Sequence, residues 1–241
     1  MVSSLIVALD LASLEQADAL ARALRPEVGG FKVGMELLMG EGPRAISSIA
    51  DLGRPVFADA KLHDIPNTVG RASAMIRSAG ARWVTVHGAG GVAMIEAAVD
   101  GMGGQGVLAV TMLTSLSSSD LPRIGIQATP HDYVATIAGL AAEAGCEGVI
   151  CSPGEILTVR STQPSLRIFT PGVRPDMAEA ADQKRTATPE RAIADGADYL
   201  VVGRPITAAT DPVLAAREIA ASMGAIDHSA GAMVDTSRPQ T

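Results

Sequence analysis

The chain has 241 residues, 47% of them apolar, which is enough to bury a sizeable core. Its formal charge of −7 excludes a nonspecific nucleic-acid binder, which needs an excess of Lys and Arg on one face, but leaves local binding of a small anion open. Cys146 and Cys151 have neither metal-type spacing nor a disulfide framework, and they read as buried thiols.

The opening apolar run, Met1 to Leu9, lacks a basic leader and stops at Asp10. It is too short for a signal peptide or a membrane span, so a cytoplasmic protein is expected. From there, short β-branched or apolar runs alternate with alanine-rich stretches of helical period. A strand over Leu5 to Leu9 is followed by a helix over Ser13 to Leu24, then a strand over Gly30 to Val33 and a helix over Gly42 to Leu52. Pro55 to Ala58 leads to a helix over Asn67 to Ala79, and Trp83 to Val86 to one over Gly91 to Asp100. Val107 to Met112 precedes a helix over His131 to Ala144, and Gly148 to Cys151 a shorter helix after Pro153. The last two strands, Arg167 to Phe169 and Tyr199 to Val202, are followed by helices over Pro189 to Ala194 and Asp211 to Met223.

Eight strand-like runs interleaved with helices predict an α/β chain folded as a single (β/α)8 TIM barrel, one domain over 1–224, with its active site at the C-terminal ends of the strands. An open doubly wound sheet usually has fewer strands and a glycine-rich turn after the first, where this chain has Asp10-Leu11-Ala12. Two longer connections, Thr114 to Pro130 and Thr170 to Thr188, read as binding loops or lids. The stretch 225–241 has no periodicity and reads as a loosely held tail.

The strand ends carry the polar residues: Asp10, Lys32, Asp59 with Lys61, His87, Thr111 to Thr114, Pro171 to Arg174, and Gly203 with Arg204. Lysine is scarce, only three in the whole chain, so Lys32 and Lys61 mark places where a compact, transferable proton serves better than a guanidinium. Period-two alternation points Asp59 and Lys61 the same way, with Asp64 a turn later and Lys32 arriving from the neighbouring strand. Two ammonium and two carboxylate groups in alternation would hold Lys61 protonated and directed, as a site that forms and protonates a carbanion requires. The competing reading is a surface ion-pair cluster.

After the eighth strand, Gly203-Arg204-Pro205 fits a phosphate cup of backbone N–H groups with a forked charged donor, which Arg174 and Gln183 could close. His87 could bind an anion or act as a base, but reads better as a hydrogen-bonded wall residue, and His63 as packing or support for the acids around it.

These residues resemble the orotidine 5'-phosphate decarboxylase family in its shorter bacterial form. The resemblance runs through Phe31-Lys32-Val33-Gly34, Asp59-Ala60-Lys61-Leu62-His63-Asp64-Ile65-Pro66-Asn67-Thr68, Val86-His87, Thr111-Met112-Leu113-Thr114-Ser115, Thr170-Pro171-Gly172-Val173-Arg174, Asp182-Gln183-Lys184-Arg185 and Gly203-Arg204-Pro205-Ile206-Thr207. It implies decarboxylation of orotidine 5'-phosphate to UMP, the last step of de novo pyrimidine synthesis, with no metal or other cofactor. Lys61 is implied as proton donor, with Lys32, Asp59 and Asp64 in its charged network. A homodimer with shared active sites is also implied, Asp64 reaching across and Thr68 serving the neighbour. Asp10 and Lys32 are implied at the ribose, Thr114 near the pyrimidine, Gln183 and Arg204 at the phosphate, and Ile65, Arg174 and Gly203 elsewhere in the ligand shell. Ala60, where many relatives carry a larger aliphatic residue, faces away from the site by alternation.

Two alternatives stand beside this reading. Hexulose phosphate synthases and keto-gulonate phosphate decarboxylases also carry DxKxxD, but generally place an acid where Lys32 stands and use magnesium. A noncatalytic nucleotide-phosphate sensor could keep the barrel and cup, yet it would have no need of all four charged residues.

Overall fold

The computed structural model describes residues 4–174 and 187–224. Its strands are β1 (Leu5–Ala8), β2 (Gly30–Val33), β3 (Val56–Leu62), β4 (Trp83–His87), β5 (Val107–Val110), β6 (Gly148–Ile150), β7 (Arg167–Pro171) and β8 (Tyr199–Val202). They pair in parallel and in chain order, and β8 returns to β1, closing the barrel. The helices are α1 (Leu14–Leu24), α2 (Met35–Glu41), α3 (Arg44–Ala50), α4 (Pro66–Ser78), α5 (Val92–Gly101), α6 (Pro130–Glu143), α7 (Ile156–Thr162), α8 (Pro189–Ala194), α9 (Arg204–Thr207) and α10 (Pro212–Gly224).

Strands covered on both faces must be apolar on both, and here the period-two alternation sorts them into two cores. Leu5, Val7, Phe31, Val33, Val84 and Val86 meet the helices. Ile6, Ala8, Phe57, Trp83, Leu108, Phe169 and Val201 fill the barrel. Inside, Phe169 stacks on Tyr199 with ring centroids 4.4 Å apart and meets Trp83 edge-on at 5.2 Å, so the barrel is a packed plug beneath its mouth.

Local signals set the helix starts. Ser13, Thr129 and Thr188 cap α1, α6 and α8 by accepting from the N–H groups of Gln16, Asp132 and Arg191, and proline occupies the first turn of α4, α6 and α8. Losing such a cap costs about 1 kcal/mol. Between α4 and α5 the backbones come so close that a Cβ at Gly101 would stand 2.3 Å from the Gly70 carbonyl oxygen.

At the N-terminal end of the barrel, Glu147 accepts from Arg82 Nη2 on both oxygens (2.9 and 2.8 Å), from Trp83 Nε1 (2.9 Å) and from the Gly106 N–H (3.1 Å). Desolvation pushes this carboxyl up, but the bonds from Trp83 and Arg82, the Arg82 charge and the Gly106 N–H outweigh it and hold it below the usual glutamate range. Burial pushes the Cys146 thiol up to about 12, consistent with an inert buried cysteine.

The structure departs from the sequence reading in three places. α2 occupies a stretch read as a connection, because Gly40 and Gly42 interrupt its periodicity; Gly42, at φ 63°, ends the helix. β3 continues past Ala58 to Leu62, carrying Asp59 and Lys61 on the strand itself. Arg204 opens a short helical turn, α9, that the helix assignments from sequence did not include. The tail 225–241, and the loop residues Asp182, Gln183, Lys184 and Arg185, lie outside the described residues.

Candidate active site

The charged residues at the ends of β1, β2 and β3 converge. Lys32 points into the barrel, and its Nζ lies 2.9 Å from Asp10 Oδ1 and 3.3 Å from Asp59 Oδ2. Lys61 Nζ donates to the same Asp59 Oδ2 at 2.7 Å. One buried carboxylate oxygen thus receives two ammonium groups, Lys32 being buried and Lys61 partly open to the cavity. Space for the Asp10–Lys32 pair comes from Gly34, where a Cβ would stand 2.2 Å from Asp10 Oδ1 and 2.9 Å from Lys32 Nζ.

Burial alone pushes the Asp59 carboxyl up; Lys32 and Lys61, with hydrogen bonds from Lys61 and Thr85, reverse this and hold it below the usual aspartate range. Desolvation pulls the Lys32 ammonium down, and Asp59 and Asp10 together raise it above its ordinary value. Both groups are therefore charged at neutral pH, as an electrostatic array requires.

Lys61 reaches Asp59 by a less regular route than alternation implies. The β3–β4 pairing runs Phe57 to Trp83 and Ala58 to Val84, then resumes at Leu62 with Val86. Three residues of β3, 59 to 61, therefore oppose Thr85 alone. Lys61 sits there at φ 48°, the one positive value outside glycine among the described residues. For an L-residue this costs roughly 1–2 kcal/mol, and it persists only where the surroundings hold it. Thr85 supplies the hold: fully buried, its Oγ1 accepts from the Lys61 backbone N–H at 2.9 Å and donates to Asp59 Oδ1 at 2.9 Å. The sequence reading missed Thr85, though its parity with the inward-facing Trp83 could have revealed it.

A cavity of about 420 Å³ opens at this end of the barrel, lined by Asp10, Lys32, Asp59, Lys61, Thr114, Arg174, Gly203 and Arg204, all of them sequence candidates. Inward-facing apolar strand residues, Phe57, Val110, Ile150 and Val201 among them, also line it. The Arg174 N–H donates to the Ala187 carbonyl at 3.0 Å.

Three candidates are not part of the cavity lining. Asp64, Ile65 and Thr68 stand exposed where α4 begins, and Asp64 Oδ1 accepts from the Ile65 N–H at 2.6 Å, with no ion pair to Lys32 or Lys61. Gln183 lies outside the described residues. His87 is only half-buried and, in place of the expected hydrogen bond, packs against His63 with ring centroids 5.4 Å apart. Burial, then the charges of His63 and Lys61, lower the His87 imidazole. Among the described residues no three His, Cys, Asp or Glu side chains gather as a metal-ligand set, and no described helix is long and apolar enough to cross a membrane.

Fold and site together define a (β/α)8-barrel protein whose C-terminal mouth holds a lysine–aspartate array beside an arginine-bearing cavity. The chain belongs to the Orotidine 5'-phosphate decarboxylase / HUMPS family, whose model matches residues 3–219. It is 50% identical over 218 residues to orotidine 5'-phosphate decarboxylase of Anaeromyxobacter sp. strain K, covering 90% of this chain and 96% of that one. The enzyme of the same name from Sphingopyxis alaskensis is 47% identical over 224 residues, covering 92% of this chain and all of its own length. The crystal structure of orotidine 5'-phosphate decarboxylase from Lactobacillus acidophilus superposes with a TM-score of 0.82 at 35% identity, covering 92% of this chain and 100% of that one.

Proposed function

We propose that this chain decarboxylates orotidine 5'-phosphate to uridine 5'-phosphate, the closing step of pyrimidine nucleotide synthesis, with no metal or organic cofactor. The observation that carries the reading is the Lys61 ammonium, bonded to a buried carboxylate and open to the cavity. The bond from pyrimidine C6 to its carboxylate breaks heterolytically, carbon dioxide leaves, and the electron pair stays on C6. Lys61 stabilises that developing charge and delivers an Nζ proton to C6. Asp59 repels the substrate carboxylate but not the neutral carbon dioxide, so the array favours the transition state over the bound substrate.

Arg204, Gly203 and Arg174 line the cavity together with Asp10, Lys32 and Thr114; in this reading the two arginines take the phosphate with Gln183, Asp10 and Lys32 take the ribose, and Thr114 lies near the pyrimidine. Lys32 also discriminates within the family. Its ammonium lies between Asp10 and Asp59, and a positive charge there repels a magnesium ion.

Asp64, Ile65 and Thr68 serve a second copy of the chain in this reading, forming a homodimer with shared sites. Their common exposure at the start of α4, outside their own cavity, supports it, as does Ile65 at 66% exposed. The barrel 1–224 acts as the catalytic domain, 225–241 is a tail, and the compartment is the cytoplasm.

The test is to incubate the purified protein with orotidine 5'-phosphate and a chelator while following loss of the substrate chromophore. Sustained turnover is expected. No turnover, or turnover abolished by chelator, overturns the proposal; conversion of a hexulose or keto-gulonate phosphate instead moves the chain to the magnesium-dependent branch.

A further inference from the structure

We propose that Thr85 is the positioning residue for the proton donor, one hydroxyl setting both the backbone of Lys61 and the orientation of Asp59. The inference rests on the decarboxylase reading for its kinetic consequences, but its geometry stands independently. At the bulge, three residues of β3 face one of β4, and the Lys61 N–H donates to a side chain. That side chain is Thr85, accepting at 2.9 Å from the one non-glycine residue in left-handed conformation among those described. The same oxygen donates its proton to Asp59 Oδ1 at 2.9 Å, which leaves Oδ2 to accept Lys61 at 2.7 Å and to face Lys32 at 3.3 Å.

A hydroxyl has one proton to donate and lone pairs to accept with, and Thr85 uses both capacities on two members of the array. Valine has nearly the same shape and no hydroxyl. In its place the Lys61 N–H loses its acceptor and Asp59 loses the donor that fixes its plane, with no cavity created. The ammonium is then free to leave the line from Asp59 to the reacting carbon. Misplacement of a reacting group by about 1 Å lowers rate on the order of 100-fold while leaving ground-state contacts largely intact.

Three variants and two readouts test this. Thr85→Val should lower kcat by about 10- to 100-fold while KM and the Kd for uridine 5'-phosphate change less than about threefold, since Thr85 does not line the cavity. Thr85→Ser, which keeps the hydroxyl, should recover most of the loss. Should Thr85→Val fail to fold, Thr85→Ala against Thr85→Ser carries the same contrast. Wild-type kcat in the valine or alanine variant overturns the proposal, as does a serine variant as slow as valine, or a loss of nucleotide affinity matching the loss of kcat.

The second readout is hydrogen exchange of the Lys61 amide in the unliganded wild type, which needs neither substrate nor variant. Protection of tenfold or more is expected, and exchange at the rate of an open chain overturns the clamp. Protected exchange without turnover of orotidine 5'-phosphate would leave the clamp standing while the decarboxylase reading falls.

Discussion

The two ends of the barrel solve the problem of buried charge in opposite ways. At the N-terminal end, Glu147 is saturated: both oxygens accept from Arg82, with Trp83 and the Gly106 N–H adding two more donors. Nothing is left over for a ligand, and the aromatic plug seals the barrel above it. At the C-terminal end, two ammonium groups crowd one carboxylate oxygen, and Lys61 remains open to a cavity. A satisfied network confers stability, whereas one with spare donors waits for a partner. Both ends pair cations with a carboxylate, so function at one end comes from a paired ammonium, Lys61, that still faces a cavity.

Four substitutions should separate the ends, in falling order of effect. Lys61→Ala removes the donor and should reduce kcat by roughly 1,000-fold or more, with uridine 5'-phosphate still binding within about tenfold of wild type. An unaffected rate would contradict the proton-donor role. Arg204→Ala should act mainly on affinity, raising KM for the phosphorylated substrate by about 10- to 100-fold as one charge-assisted donor is lost. Equal affinity in titration calorimetry would refute the phosphate cup.

Gly34→Ala puts a methyl where Asp10 Oδ1 and Lys32 Nζ meet. It should cost about tenfold in kcat/KM with a small change in Tm, and unchanged kinetics would show that the Asp10–Lys32 pair is not needed in that geometry. Glu147→Gln, at the far end, should leave kcat untouched and lower stability by about 1–2 kcal/mol, read as a lower denaturation midpoint. Because the folded carboxyl sits below its ordinary value, its contribution is fully present above about pH 4.3 and is lost as pH falls through the folded value. The acid limb of a stability–pH curve should therefore be shallower in the glutamine variant, and parallel curves would contradict the assignment.

The barrel was legible because each strand is a short apolar run ended by a polar residue, and closure followed from their number. The lysine–aspartate array was legible for a partly mistaken reason. Alternation does bring Asp59 and Lys61 together, but only through a bulge and a left-handed lysine that no period-two rule contains. Thr85 went unread because a threonine in a β-branched strand looks like packing; parity with Trp83 marks it as inward-facing, and the register adds that it faces the bulge. α2 was hidden by its glycines, which break the helical pattern while the surrounding fold holds the helix in place. Asp64 and Thr68 belong to a charged motif in sequence, yet stand apart from their own cavity, because the turn before Pro66 carries the chain away from the mouth.

The most direct test of the division between the two ends is to measure Lys61→Ala and Glu147→Gln side by side, each for turnover of orotidine 5'-phosphate and for thermal midpoint. The account predicts a crossed result: the lysine variant loses turnover and keeps its Tm within a few degrees, while the glutamate variant loses Tm and keeps its turnover. Two variants that each lose both, or a lysine variant that still turns over, would contradict it.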